Sequence, residues 1–152
     1  MGMKRSQIRE EIFKLLFRVE FNDSEDMPAQ IAHFFEDPYM GNEDEEDQGS
    51  MQQISESDSA YITQKYDRIA ALIPELDSLI GSCAKGWKVS RLSKVDLTIL
   101  RLAVFEMKYD EDIPVGVAIN EAVELAKKFG QDESPSFING ILAKLAKSSD
   151  DA

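Results

Sequence analysis

The chain has 152 residues, 43% of them hydrophobic, and carries 17 Lys or Arg against 29 Asp or Glu, a net charge of −12. That length suits one compact domain, its apolar runs are broken by charge well short of the ~20 residues of a membrane span, and its single cysteine, Cys83, excludes an internal disulfide. No basic start leads into an apolar core with a small-residue cleavage site, so the expectation is a cytoplasmic protein without membrane attachment.

Lys4 to Phe21 is the first predicted helix, with Ile8, Ile12, Leu15, Leu16 and Val19 recurring at three-to-four-residue intervals. A shorter helix follows from Met27 to Phe35. Residues 36–53 combine Pro38, Gly41 and Gly49 with a run of acids and almost no aliphatic residues, and read as a mobile acidic loop. Ser55 or Ser57 can cap a third helix carrying Tyr61, Ile62, Tyr66, Ile69 and Leu72, which should end before Pro74.

A fourth helix is expected from Glu75 to Ala84, ending near Gly86. Arg91 to Tyr109 is apolar around most of its circumference, too wide a stripe for a surface helix, so it should be central. The sixth helix opens at Pro114, buries Val115, Ala118, Ile119, Ala122, Val123 and Ala126, and should stop at Gly130 in a left-handed conformation. The seventh starts with Ser134 as cap and Pro135 as first helical residue, and carries Phe137, Ile138, Ile141, Leu142 and Leu145. No segment alternates like a strand. The expected fold is all-α, about seven helices in two subdomains packed as one globular domain: 3–73 with the acidic loop, 74–147, and a tail over 148–152.

The sequence lacks the ingredients of catalysis. His33 and Cys83 are the only imidazole and thiol, soft metal ligands are too few for a zinc site, the acids from Glu43 to Asp47 lack the spacing of a calcium loop, and no glycine-rich phosphate cradle occurs. The expectation is a binding protein with no cofactor and no metal. A net negative charge opposes a nucleic-acid partner, but the charge is segregated. Residues 36–50 hold seven acids and no cation, whereas residues 1–18 hold Lys4, Arg5, Arg9, Lys14 and Arg18 against Glu10 and Glu11.

Three features point to binding. Arg9, Phe13 and Phe17 lie four apart on one helix face beside Lys4 and Arg5. Cations that neutralise phosphate next to rings that stack on bases suit single-stranded RNA, although the two rings can equally extend the core. Phe137-Ile138-Asn139-Gly140 places glycine inside a helix at a cost of about 1 kcal/mol relative to alanine, which calls for close approach of a neighbouring helix or of a ligand. Asp96, beside Val95 and Leu97, either pairs internally with a cation such as Arg91 or Arg101 or receives one from a partner.

The motifs together resemble the NusB family of bacterial transcription antitermination factors. The resemblance rests on Arg9 with Phe13-Lys14-Leu15-Leu16-Phe17, on Val95-Asp96 through Met107, on Ile113-Pro114-Val115 with Val117-Ala118-Ile119-Asn120-Glu121-Ala122-Val123-Glu124-Leu125-Ala126-Lys127, and on Phe129-Gly130 with Phe137 to Leu142. It covers most of residues 3–147 outside the acidic loop. It implies a protein that pairs with NusE, a small-subunit ribosomal protein, binds the boxA element of nascent RNA, and joins an RNA polymerase antitermination complex on ribosomal RNA operons. Carried over position by position, Arg9, Phe17, Glu133 and Phe137 fall where the family meets RNA, with Lys4, Arg5 and Asn139 beside them, and Asp96 falls where an acid meets NusE. The chain departs from the family in its sparser arginines before the first helix and in Ile12, Leu15, Leu97 and Gly116. The resulting expectation is weak RNA binding alone, stronger binding with NusE, and a monomer or weak homodimer. The competing reading from another class is a structural helical interaction module or dimer that never meets RNA.

Overall fold

A computed structural model describes residues 3–36, 54–84, 86 and 88–150. The acidic loop expected over 36–53 therefore lies, apart from Glu36, outside the described residues. Seven α-helices are present among the described residues: α1 Arg5–Phe17, α2 Met27–Glu36, α3 Glu56–Ala71, α4 Ile73–Cys83, α5 Lys94–Tyr109, α6 Val115–Phe129 and α7 Ser134–Asp150. The chain forms two compact units, Met1–Asp67 and Arg68–Ala152, so the division falls inside α3.

In the first unit, α1 begins where Gln7 Oε1 accepts the Lys4 backbone N–H at 3.0 Å, and it ends four residues earlier than the periodicity suggests, tightening into a 3₁₀ turn over Arg18–Glu20. Ile12, Phe13, Leu15 and Leu16 of α1 are buried, as are Met27, Ile62 and Tyr66 of the same unit. Ser55 is the cap of α3, its hydroxyl accepting the Asp58 N–H at 3.2 Å. Arg18 holds α2: Nη1 donates to the backbone and side-chain oxygens of Gln30, at 3.3 and 3.1 Å, while the guanidinium lies 5.0 Å from the Phe34 ring centre.

The second unit is built around α5, which packs against α4, α6 and α7; the α6–α7 pairing is the most extensive. Every residue of α5 from Leu97 to Glu106 is buried, as the wide apolar stripe requires. Ser93 caps the helix by accepting the Asp96 N–H at 3.1 Å. Burying Arg101 is tolerable because Nε and Nη2 donate to the two carboxylate oxygens of Asp77 at 2.8 and 2.9 Å, a two-pronged bond that ties α5 to α4.

Several boundaries differ from expectation for identifiable reasons. α3 ends before Pro74 as expected, but α4 begins at Ile73 rather than Glu75, so Pro74 sits in its first turn, where a missing N–H costs nothing. Pro114 is the cap of α6, not its first helical residue, with φ −60° and ψ 145°. Gly130 is extended, with φ −92° and ψ −170°, so its role is not a left-handed stop. A Cβ there would lie 2.6 Å from Ser134 Cβ and 2.8 Å from the Ala126 carbonyl oxygen, so glycine is required by space. Among the described residues the left-handed glycine is Gly86, after α4, with φ +83°. Ser134 is the first residue of α7 itself, and its buried hydroxyl accepts the Gln131 N–H at 3.0 Å, closing the α6–α7 turn.

On α6 the buried stripe is Ala118, Ala122, Leu125 and Ala126, narrower than expected. The alanines let neighbouring helices approach closely, which leaves the Val115, Ile119 and Val123 row on the flank, with Val115 42% exposed. That flank borders the site.

Candidate functional site

The candidate residues divide between the two units. In the first, Lys4 caps α1 and is exposed, as is Arg5. Arg9, one turn on, is only 7% exposed, because it lies on the same side of α1 as buried Ile12, Phe13 and Leu16. Lys14 pairs with Glu11 at 3.2 Å, and Arg18 is committed to α2. Of the five basic residues near the chain start, Lys4 and Arg5 are the exposed ones.

Phe13 belongs to the core, being 3% exposed. Phe17 is half-buried; it stacks on Phe13 with ring centres 6.1 Å apart and meets Phe21 edge-on at 5.1 Å. Phe21 is 61% exposed and ends this aromatic ladder. The sequence reading placed Phe21 at the end of a helix and gave it no role, although the spacing 13, 17, 21 was present to be used. A solvated ring braced by a second ring is a ready surface for a planar partner.

In the second unit, Glu133, Phe137 and Asn139 cluster at the start of α7. Glu133 and Asn139 are exposed and Phe137 is half-buried. Glu133 and Phe137 share one flank of the helix, since residues four apart lie one above the other, whereas Asn139 occupies the opposite flank, facing α6. There a shallow groove of about 490 Å³ runs between α6 and α7, lined by Gly116, Ile119, Asn120, Val123, Pro135, Ser136 and Asn139. A Cβ added to Gly140 would meet nothing within 4 Å, so packing against a neighbouring helix does not explain this glycine; the outer surface does.

Asp96 stands in the first turn of α5. Its expected internal partner Arg101 is instead held by Asp77. One carboxylate oxygen of Asp96, Oδ1, is buried with no hydrogen-bond partner among the described residues. A buried acceptor without a donor is destabilising by about 1–3 kcal/mol, more if charged, and a cation supplied from outside would relieve that cost.

Among the described residues there is no cluster of three or more His, Cys, Asp or Glu able to hold a metal ion, and no helix long and apolar enough to cross a membrane.

The model of the NusB family matches residues 6–147. The transcription antitermination protein NusB of Agathobacter rectalis is 49% identical over 144 residues, covering 95% of this chain and 100% of that protein. Among solved structures, NusB of T. maritima is 31% identical with a TM-score of 0.78, covering 97% of this chain and 93% of its own. A structure of antitermination factors NusB and NusE in complex with double-stranded RNA shares the fold at a TM-score of 0.68 and 22% identity, over 96% of this chain and 99% of that one.

Proposed function

The chain belongs to the NusB family of transcription antitermination proteins, and we propose that it acts by binding boxA-type single-stranded RNA jointly with NusE, delivering both to RNA polymerase on ribosomal RNA operons. In this reading Lys4 and Arg5 meet phosphates, Arg9 holds the α1 edge in place behind them, and Phe17 offers a ring to a base. Phe137 offers a second ring at the other site, while Glu133 and Asn139 supply an acceptor and an amide for base edges or ribose hydroxyls. Asp96 accepts a cation from NusE.

The observation that carries the reading is the buried, unpartnered oxygen of Asp96. Among the described residues, α5 pairs Arg101 with both oxygens of Asp77 yet leaves Oδ1 of Asp96 buried without a donor, an acceptor that a cation from NusE would satisfy. The protein's net charge of −12 works against a lone phosphate strand, and of Lys4, Arg5, Arg9, Lys14 and Arg18 two, Lys4 and Arg5, are exposed. Affinity for RNA should therefore depend on NusE, with the mutual enhancement that linkage demands.

The test is titration of a boxA oligonucleotide with the protein, with and without NusE, over a salt series. Expected are weak binding alone, binding at least tenfold tighter with NusE, and a salt slope reduced by about 0.7 for each phosphate contact removed, as with Lys4→Ala or Arg5→Ala. An affinity indifferent to NusE would overturn the joint mode. Equal affinity for a fully paired duplex of the same sequence would overturn the recognition of unpaired bases, a necessary comparison because the complex of a relative contains double-stranded RNA.

A further inference from the structure

The groove between α6 and α7 has no part in the function described so far, apart from Asn139 on its rim. Its floor and walls include Ile119, Val123 and Pro135, and two carboxamides, Asn120 from α6 and Asn139 from α7, stand exposed along it. None of the seven lining residues is charged, so the groove offers nothing specific to a phosphate. Apolar walls flanked by amides match a neutral planar heterocycle, whose faces are apolar and whose edge both donates and accepts. An apolar helix of a protein partner fits less well, since it would cover both amides without supplying their hydrogen bonds.

The route to this groove is also bare. On α7, Glu133 and Phe137 form one row, Pro135 and Asn139 another, and Ser136 and Gly140 occupy the crest between them, opposite buried Ile138, Ile141 and Leu142. Gly140 is exposed, and a Cβ at 140 would touch nothing, so the fold gains no packing from a glycine that costs about 1 kcal/mol in a helix interior. Gly116, on the groove wall, likewise has nothing within 4 Å of an added Cβ. Both positions lack a side chain where the surface faces outward, as close approach of an external chain requires.

We propose that the α6–α7 groove seats one unpaired base of the same RNA strand that meets Phe137. The strand crosses the α7 crest at Ser136 and Gly140, and Asn120 and Asn139 bond the edge of the base. This rests on the RNA-binding reading above and adds Asn120 and the two bare glycines to it.

The experiment measures boxA RNA affinity in the presence of NusE for wild type, Phe17→Ala, Asn120→Leu and Gly140→Leu, with NusE affinity and helix content measured alongside. A 4-thiouridine walked along the oligonucleotide reports the contact directly. Asn120→Leu and Gly140→Leu should each weaken RNA binding on the order of 10-fold, leaving NusE affinity and helix content unchanged, the former by removing the carboxamide that bonds the base edge and the latter by blocking the crest. One thiouridine position should crosslink to a peptide from 115–127, which contact with Phe137 alone would not produce. If Phe17→Ala weakens RNA binding while both groove variants bind as wild type and no such crosslink forms, the groove is empty and this inference fails while the RNA-binding function stands. If the groove variants lose NusE affinity instead, the groove belongs to a protein contact and the inference is overturned. If wild type binds no RNA under any condition, the function and the inference fall together.

Discussion

Within the second unit, the α4–α5 junction and the outward surface around α5 and α7 treat the same kinds of residue in opposite ways. At the junction, buried Arg101 is matched by two short bonds to Asp77; five residues earlier, one oxygen of Asp96 is buried with no donor among the described residues. Two glycines show the same contrast. Gly130 is squeezed between Ser134 and the Ala126 carbonyl, whereas Gly140 faces open space. Groups that serve the fold have their partners inside the molecule. Two features of the second unit have no such partner among the described residues, the buried Asp96 oxygen and the bare Gly140, and in the proposed function they are where NusE and RNA attach.

The contrast breaks most visibly at the salt bridge. Arg101→Ala strands the Asp77 carboxylate and removes packing from the middle of α5, and should destabilise the protein by about 3 kcal/mol in urea denaturation, the lower part of the range for breaking a buried pair because Asp77 retains some exposure. The double replacement Asp77→Leu with Arg101→Met should recover most of that loss. Next in size is Gly130→Ala, where the new Cβ must displace Ser134 or the α6 carbonyl; a loss of about 2 kcal/mol is expected in the same assay.

Asp96→Ala should move stability by less than about 1 kcal/mol, because relief of the unpaired oxygen offsets the lost interaction of an acid with the helix N-terminus. NusE affinity should nevertheless fall at least tenfold by calorimetry, about 1.4 kcal/mol. A large loss of stability with unchanged NusE affinity would place Asp96 with the fold-serving residues and end the distinction. Gly140→Ala, by contrast, should stabilise the free protein by about 0.5–1 kcal/mol, since nothing opposes the added methyl.

The smallest effect at neutral pH belongs to Tyr66, a buried residue of the first unit. Burial, reinforced by the nearby negative charge of Asp67, raises its phenol above the ordinary 10.0. The neutral form is thus favoured by folding. Its contribution is fully present below pH 10.0 and is lost as pH climbs from there through the raised value. Tyr66→Phe should change little at pH 7 and flatten the fall in stability above pH 10.0, measured by thermal melts across that range.

The helices were legible because burial repeats with the helical period. The continuous apolar run of α5 required neighbours on most sides, and Ile138, Ile141, Leu142 and Leu145 defined the inner face of α7. Boundaries were less legible, since Pro74 and Pro114 each satisfy the chemistry of several adjacent positions at a helix start. At the site, sequence patterns grouped Arg9 with the exposed cations, but spacing cannot say which side of α1 a neighbouring element will cover, and Arg9 is buried. The same limit hid Phe21, whose exposure follows from where the 3₁₀ turn leaves the chain.

The sequence by itself determined the helical architecture and, through the Ala118–Lys127 and Phe137–Gly140 motifs, the family. These depend on residue type and local period, which one strand of text contains. Only the tertiary structure decided which partner Arg101 takes, that Asp96 has an oxygen left over, that Gly130 is held by contact and Gly140 by none, and that Asn120 and Asn139 border one groove. Those are properties of side chains brought together from different helices, and whether a polar group is satisfied depends on the distance to a partner that sequence spacing does not encode.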